Sequence, residues 1–171
     1  MSKAILISIK PKWVAKILNG KKTFEIRKRF PKDYVGWVYI YCTKDKKYAN
    51  LINRGGFLTG MVVARFWCDK VENIQCIWSY AAGNCYEPET FYEHDLLEKS
   101  CLTYSELNEY LNGKNGYAIH ITKLEIFDKP KEIGEFNTKH YPQFAGLVKN
   151  TIHYELQPLT KAPQSWCYIE V

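Results

Sequence analysis

The chain has 171 residues, of which 46% are hydrophobic and 15% aromatic, enough to pack one domain over residues 1–171 and too apolar for a disordered chain. No apolar run approaches the roughly 18–20 residues that cross a bilayer, and "MSKAILISIKPKW" has no small-residue cleavage site of a secretory leader, so no membrane partner is expected and the expected location is cytoplasmic. The net charge of +6 hides an asymmetry: residues 1–47 hold 13 of the 24 Lys/Arg and 3 of the 18 Asp/Glu, a net of +10, leaving −4 for the rest.

Clustered Lys/Arg concentrates polyanions and releases their counterions on binding, which favours phosphate-bearing partners. A lysine-rich solvated face is the plainer explanation of the same charge.

In chain order, "AILISI" (4–9) is β-branched and apolar, a buried strand. Pro11 suits a first helical turn, and "PKWVAKILNG" places Trp13, Val14, Ile17 and Leu18 on one helical face before an Asn19-Gly20 stop. After Gly20 the period becomes two: Phe24 and Ile26 alternate with Thr23, Glu25, Arg27 and Arg29, predicting a strand with an apolar core side and a charged row, ended by Pro31. "GWVYIYC" (36–42) is a second strong strand, 44–56 a polar connector with a possible short helix, and 58–78 one long strand or two with a break near Asp69-Lys70. Residues 86–100 and 103–113 read as helices, the latter opened by a capping box of Thr103 and Glu106. Residues 116–130 form a strand, 131–160 are irregular with at most a helical turn, and "SWCYIEV" (165–171) closes the chain as a strand.

The fold class that follows is α+β, with about five to seven strands and two or three peripheral helices. A small β-barrel fits this order better than βαβ layers, because the middle strands follow one another without crossover helices.

The six cysteines show no CxxC and no Cys/His cluster at zinc spacing, so no metal and no cofactor is expected; they read as reduced thiols in or near the core. His120 alternates within a strand, as a structural residue or a base. Gly20, Lys22, Glu25 and Arg27 form G-x-K-x-x-E-x-R. A carboxylate between cations stays ionised and can accept from a base edge or ribose hydroxyl while Lys22 or Arg27 meets a phosphate; a surface salt bridge is the alternative from spacing alone.

"ILISIKPKWVAKILNGKKTFEIRKRFPK" resembles the ASCH domain (activating signal cointegrator homology) of the PUA-like β-barrel group, by its S-I-x-P, short helix and G-x-K-x-x-E-x-R. "VYIYCT" (38–43), "GMVVARF" (60–66), "GYAIHITKLEIFDKPKEIGEF" (116–136) and "PQSWCYIEV" (163–171) resemble its phage and bacterial branch. The resemblance implies a cleft lined by the G-x-K-x-x-E-x-R strand that binds RNA or nucleotides. By position it carries over Lys22, Glu25 and Arg27, with Lys10 at the helix start. Ser165 and Trp166 belong to the closing motif, where Trp166 is either a stacking ring or a core residue.

Two positions depart from the family. Small ASCH amidohydrolases acting on N4-acetylcytidine carry a threonine nucleophile where this chain has Glu25, and Arg65 stands where an acidic residue is expected. Three functions follow from the resemblance and the charge. One is a binding module for single-stranded RNA, a nucleotide or a modified nucleoside. Another is a hydrolase, a ribonuclease or a modified-nucleoside amidohydrolase, in which Lys22 and Glu25 are catalytic. The last is a phage-borne interaction protein that sequesters a nucleotide signal or a host factor.

Overall fold

The structure, a computed structural model, describes residues 2–45, 59–79, 85–89, 93–141 and 154–171. Among them are eleven strands: β1 (Lys3–Ile9), β2 (Phe24–Arg27), β3 (Gly36–Cys42), β4 (Val62–Cys68), β5 (Val71–Ser79), β6 (Cys85–Glu89), β7 (Gly116–His120), β8 (Thr122–Lys131), β9 (Asn137–His140), β10 (Glu155–Pro158) and β11 (Trp166–Glu170). Three eight-residue helices accompany them, α1 (Pro11–Leu18), α2 (Glu93–Ser100) and α3 (Tyr104–Leu111), with a 3-10 turn at Ile133–Glu135. The α+β class and the helix number agree with the sequence reading; the strands are more numerous and lie in two sheets, with no closed barrel among the described residues.

The described chain separates into two compact units. Unit 1 comprises Met1–Val14, Trp37–Arg65 and Glu125–Val171, and unit 2 comprises Ala15–Gly36 and Phe66–Leu124. α1, β4 and β8 each run from one unit into the other.

Unit 1 is organised by a seven-stranded sheet of order β10-β9-β11-β1-β3-β4-β8. β1 pairs antiparallel with β11 and parallel with β3, and both of its faces are buried, as an unbroken apolar run requires. On one face Ala4, Leu6, Tyr39, Tyr41, Val62, Phe136 and Ile169 form a core cluster. Ser8 is the buried polar residue of this strand; its hydroxyl donates to Pro163 O at 2.6 Å, which offsets the cost of burying it.

Unit 2 carries the four-stranded sheet of order β2-β7-β5-β6. Phe24, Ile26, Ile74, Leu96, Leu107, Leu111 and Ala118 form its core, so one side of β2 and β7 packs on α2 and α3. The capping box at Thr103 is formed in full: its hydroxyl accepts from Glu106 N at 3.2 Å and Glu106 Oε2 accepts from Thr103 N at 2.9 Å. The helix closes at Asn112 in the left-handed region, one residue before Gly113.

Several segments differ from the sequence reading. β2 ends at Arg27, so Arg29 lies beyond the strand. Residues 85–89 form β6, not the start of a helix, and α2 begins at Glu93. The strand expected over 116–130 is divided at Ile121 into β7 and β8, and Lys123 takes φ 43 just inside β8. β9 and β10 occupy part of the stretch read as irregular; their alternation is only four residues long, too short to register as a period. Residues 46–56 of the polar connector, where a short helix was possible, and residues 142–153 lie outside the described residues.

Cys42, Cys68, Cys76, Cys101 and Cys167 carry free thiols. Burial pushes Cys42 up to about 12 and Cys68 up to about 11, and raises Cys76 and Cys167 in the same direction, so these four stay protonated near neutrality and serve as packing atoms.

Candidate functional site

Gly20, at φ 75, ends the turn after α1 in a conformation that a side chain disfavours. Lys22 N then donates to Lys16 O at 2.9 Å and Thr23 N to Lys99 O at 2.8 Å, which fixes the entry into β2. β2 is an edge strand paired antiparallel with β7: Phe24 opposes His120, Glu25 opposes Ile119, Ile26 opposes Ala118 and Arg27 opposes Tyr117. Phe24 and Ile26 face the unit 2 core as expected, and Glu25 and Arg27 share the opposite face.

That opposite face is not a solvated charged row. Lys22 is 3% exposed and Glu25 5%. Each carboxylate oxygen of Glu25 holds a different cation: Oε2 lies 3.3 Å from Lys22 Nζ and Oε1 lies 3.0 Å from Arg27 Nη2. Lys22 Nζ also donates to Ser100 O at 2.8 Å, at the C-terminal end of α2, where the helix dipole favours a cation. Lys16 Nζ reaches the next carbonyl, Cys101 O, at 3.4 Å. Burial lowers the Lys22 pKa, and Glu25 opposes that shift without cancelling it.

Sequence reasoning found the three charged partners but missed the helix end that receives Lys22. Ser100 is 78 positions away, and no spacing rule links them. Tyr110 on α3 was missed for the same reason; burial raises its pKa, with Arg27 opposing and Glu25 adding to the shift, which places an aromatic ring within electrostatic reach of the pair.

The six residues singled out from sequence divide evenly. Lys22, Glu25 and Arg27 form one cluster in unit 2, whereas Lys10, Ser165 and Trp166 belong to unit 1. Lys10 is exposed, and its carbonyl accepts from Trp13 N and Val14 N at the start of α1. Ser165 O accepts from Ser8 N at 2.9 Å, and Trp166, half-buried and opposite Ile7, meets Tyr168 edge-on with ring centroids 5.4 Å apart. Arg65, also of unit 1, donates to Glu125 Oε2 at 2.7 Å and to the Tyr39 hydroxyl at 3.1 Å while lying 4.1 Å from the Trp37 ring centre. His120 stacks on Phe24 at 4.3 Å, with Nε2 3.1 Å from Glu72 Oε1 and Nδ1 3.8 Å from Asp69. Among the described residues no group of three or more His, Cys, Asp or Glu could hold a metal ion.

No family model matches the sequence, and no curated protein matches it. A solved structure does: the crystal structure of ASCH from Zymomonas mobilis superposes with a TM-score of 0.60, covering 98% of this chain and 87% of that one at 14% identity. The fold is that of an ASCH protein. Two single-residue variants of the same Zymomonas mobilis protein, a Tyr-to-Phe and a Ser-to-Ala substitution, give TM-scores of 0.57, at 15% and 14% identity, covering 99% and 98% of this chain and 91% and 88% of theirs. At these identities the likeness to ASCH is one of architecture. Among the described residues no helix is long and apolar enough to cross a membrane.

Proposed function

We propose that this ASCH-fold chain binds a nucleotide or a single-stranded RNA segment at the Lys22–Glu25–Arg27 cluster. The observation that carries the reading is the burial of a carboxylate between two cations. A buried ion cluster gains little stability over apolar residues of the same size, and charged groups with perturbed pKa values collect at functional sites. The basic bias of residues 1–47 supports the same ligand class. Within the cluster the Arg27 side chain is 12% exposed against 3% for Lys22 and 7% for Glu25, so Arg27 makes the ligand contact and the other two hold it in place. Lys10, Ser165 and Trp166, which belong to unit 1, are proposed as ligand contacts in their own right and not as part of this cluster.

The test is calorimetric titration with the four ribonucleoside monophosphates and a short single-stranded RNA. A charge-assisted hydrogen bond contributes about 1.5–3 kcal/mol, so Arg27→Ala should weaken binding by roughly 10- to 150-fold, measured at a temperature where circular dichroism shows the variant folded. Absence of binding by the parent chain, or equal binding by Arg27→Ala, refutes the reading.

One observation favours hydrolysis of RNA or of a modified nucleoside as a second reading. The lowered Lys22 pKa enlarges the share of neutral amine able to take a proton. Glu25, whose oxygens are both engaged by cations, is then the orienting partner and not the base. Mass spectrometry after incubation with RNA and with acylated nucleosides decides it, since unchanged substrate at stoichiometric protein leaves no room for turnover.

A further inference from the structure

The seven-stranded sheet of unit 1 has a second face, opposite the cluster of Leu6, Tyr39 and Ile169, and its chemistry is unlike that of a solvated surface. Residues directly opposed in paired strands share a face. Lys3 opposes Glu170, Ile5 opposes Tyr168 and Ile7 opposes Trp166. Glu170 opposes Asn137, and from Asn137 the alternation along β9 leads to Lys139 and Tyr141. Lys139 opposes Leu156, which puts Tyr154 on the same side across β10.

The contacts join these side chains into one row. The Trp166 ring meets Tyr168 at 5.4 Å, and Lys3 Nζ sits 3.5 Å from the Tyr168 ring centre. Lys139 Nζ is 3.2 Å from Glu170 Oε1 and 4.3 Å from the Tyr154 ring centre, and Tyr154 meets Tyr141 at 6.2 Å with the rings tilted by 61°. Toward β3 the face is closed, since Ile5 and Ile7 are fully buried; toward β10 it is open, with Tyr141 55% and Tyr154 48% exposed.

Exposed tyrosines beside lysines suit one ligand class. Every nucleobase has a π face that stacks on an aromatic ring, and the phosphates between bases need cations at similar spacing. The row crosses three inter-strand gaps, β10 to β9 to β11 to β1, a span of about 14 Å at ~4.8 Å per gap. This accommodates about four stacked nucleotides at ~3.4 Å each. We infer that this face is a stacking platform for single-stranded nucleic acid, separate from the Lys22–Glu25–Arg27 cluster and independent of whether that cluster binds a nucleotide. Bases stack on Tyr141 and Tyr154; Lys3 exchanges its ring contact, weak at exposed sites, for a phosphate, and Lys139 exchanges both its ring contact and its ion pair with Glu170. Trp166 and Tyr168 form the inner, less accessible end.

The experiment is fluorescence anisotropy with a fluorescein-labelled eight-nucleotide oligouridylate across a salt series. The Tyr141→Ala/Tyr154→Ala variant should bind about tenfold or more weakly, whereas Tyr141→Phe/Tyr154→Phe should retain affinity, because stacking needs the ring and not the hydroxyl. Lys3→Met/Lys139→Met should flatten the plot of log affinity against log salt by about 1.4, two single-strand phosphate contacts at ~0.7 each. Both tyrosines are exposed, so the alanine variant keeps its fold, which its circular dichroism verifies. Equal oligonucleotide binding by parent and alanine variant overturns the inference, as does absence of binding. Self-association in sedimentation velocity that the alanine variant abolishes, without oligonucleotide binding, assigns the face to a second copy and overturns it too. Ring-dependent oligonucleotide binding that survives Arg27→Ala sustains this inference even if the nucleotide site fails its own test.

Discussion

Replacing Glu25 by alanine is expected to cost about 3–5 kcal/mol in urea unfolding followed by tryptophan fluorescence, among the largest single-site losses available in this chain. The reason is what remains. Lys22, just before β2, and Arg27, at its end, would be left buried or nearly so with no carboxylate between them. Converting all three together, as Lys22→Met/Glu25→Leu/Arg27→Met, should recover most of that loss. The pairwise attraction and the desolvation cost disappear at once, while the charge-assisted Lys22 bond to Ser100 O, worth about 1.5–3 kcal/mol, is sacrificed. The triple variant therefore separates two roles. If it is stable and no longer binds nucleotide, the charges serve recognition; if it is as unstable as Glu25→Ala, they serve the fold. A cost below about 1 kcal/mol for Glu25→Ala would mean that water reaches the cluster.

The second large effect concerns the support beneath β2. Leu111 is fully buried at the end of α3 and belongs to the cluster that holds Phe24 and Ile26, so Leu111→Ala should cost about 2–5 kcal/mol. Gly116, at the start of β7, is coupled to it. A methyl group there would lie 2.6 Å from Leu111 Cδ2 and 3.2 Å from the carbonyl oxygen of Arg27. Gly116→Ala alone should therefore cost about 1–3 kcal/mol by overpacking. In the Leu111→Ala background the nearest clash is gone and the added carbon enters the vacated volume, so the double variant should be more stable than the sum of the two losses predicts, by roughly 0.5–3 kcal/mol. Strict additivity in denaturant midpoints would show that the two positions do not share that space.

Where the sequence was legible, a single local signal was strong. "GWVYIYC" gave β3 with the bounds it has, Pro11 marked the first residue of α1, and Thr103 with Glu106 announced a cap whose reciprocal bonds are both present. Asp69-Lys70 separates β4 from β5 as expected. Local signals failed where distant partners decide. "YEPET" has helix-favouring glutamates, yet residues 85–89 are recruited by β5, with Gln75 opposite Glu89 and Ser79 opposite Cys85. The site shows the same division. The side-by-side placement of Glu25 and Arg27 follows from a period of two, but the burial of that face does not, because it depends on α2 ending where Lys22 can reach it. Arg65 stands where an acidic residue is expected, and its partners Glu125, Tyr39 and Trp37 come from positions that no local pattern links to it.

The central place of β1 in its sheet bears on how the chain is made. Ser2 and Val171 exchange backbone hydrogen bonds at 2.8 and 3.0 Å, and the contact between these residues spans 169 positions. The strands β2, β5, β6 and β7 have all been synthesised by His120 and emerge from the ribosome before β11, so their sheet can assemble while synthesis continues. β1 can by then pair with β3, and β3 with β4, but β11 does not exist, and at about 5–20 residues per second its arrival takes a few seconds more. For that interval the nascent chain presents an apolar strand with one open edge, the form most prone to pair with a neighbouring polypeptide, and only Trp166–Glu170 closes it.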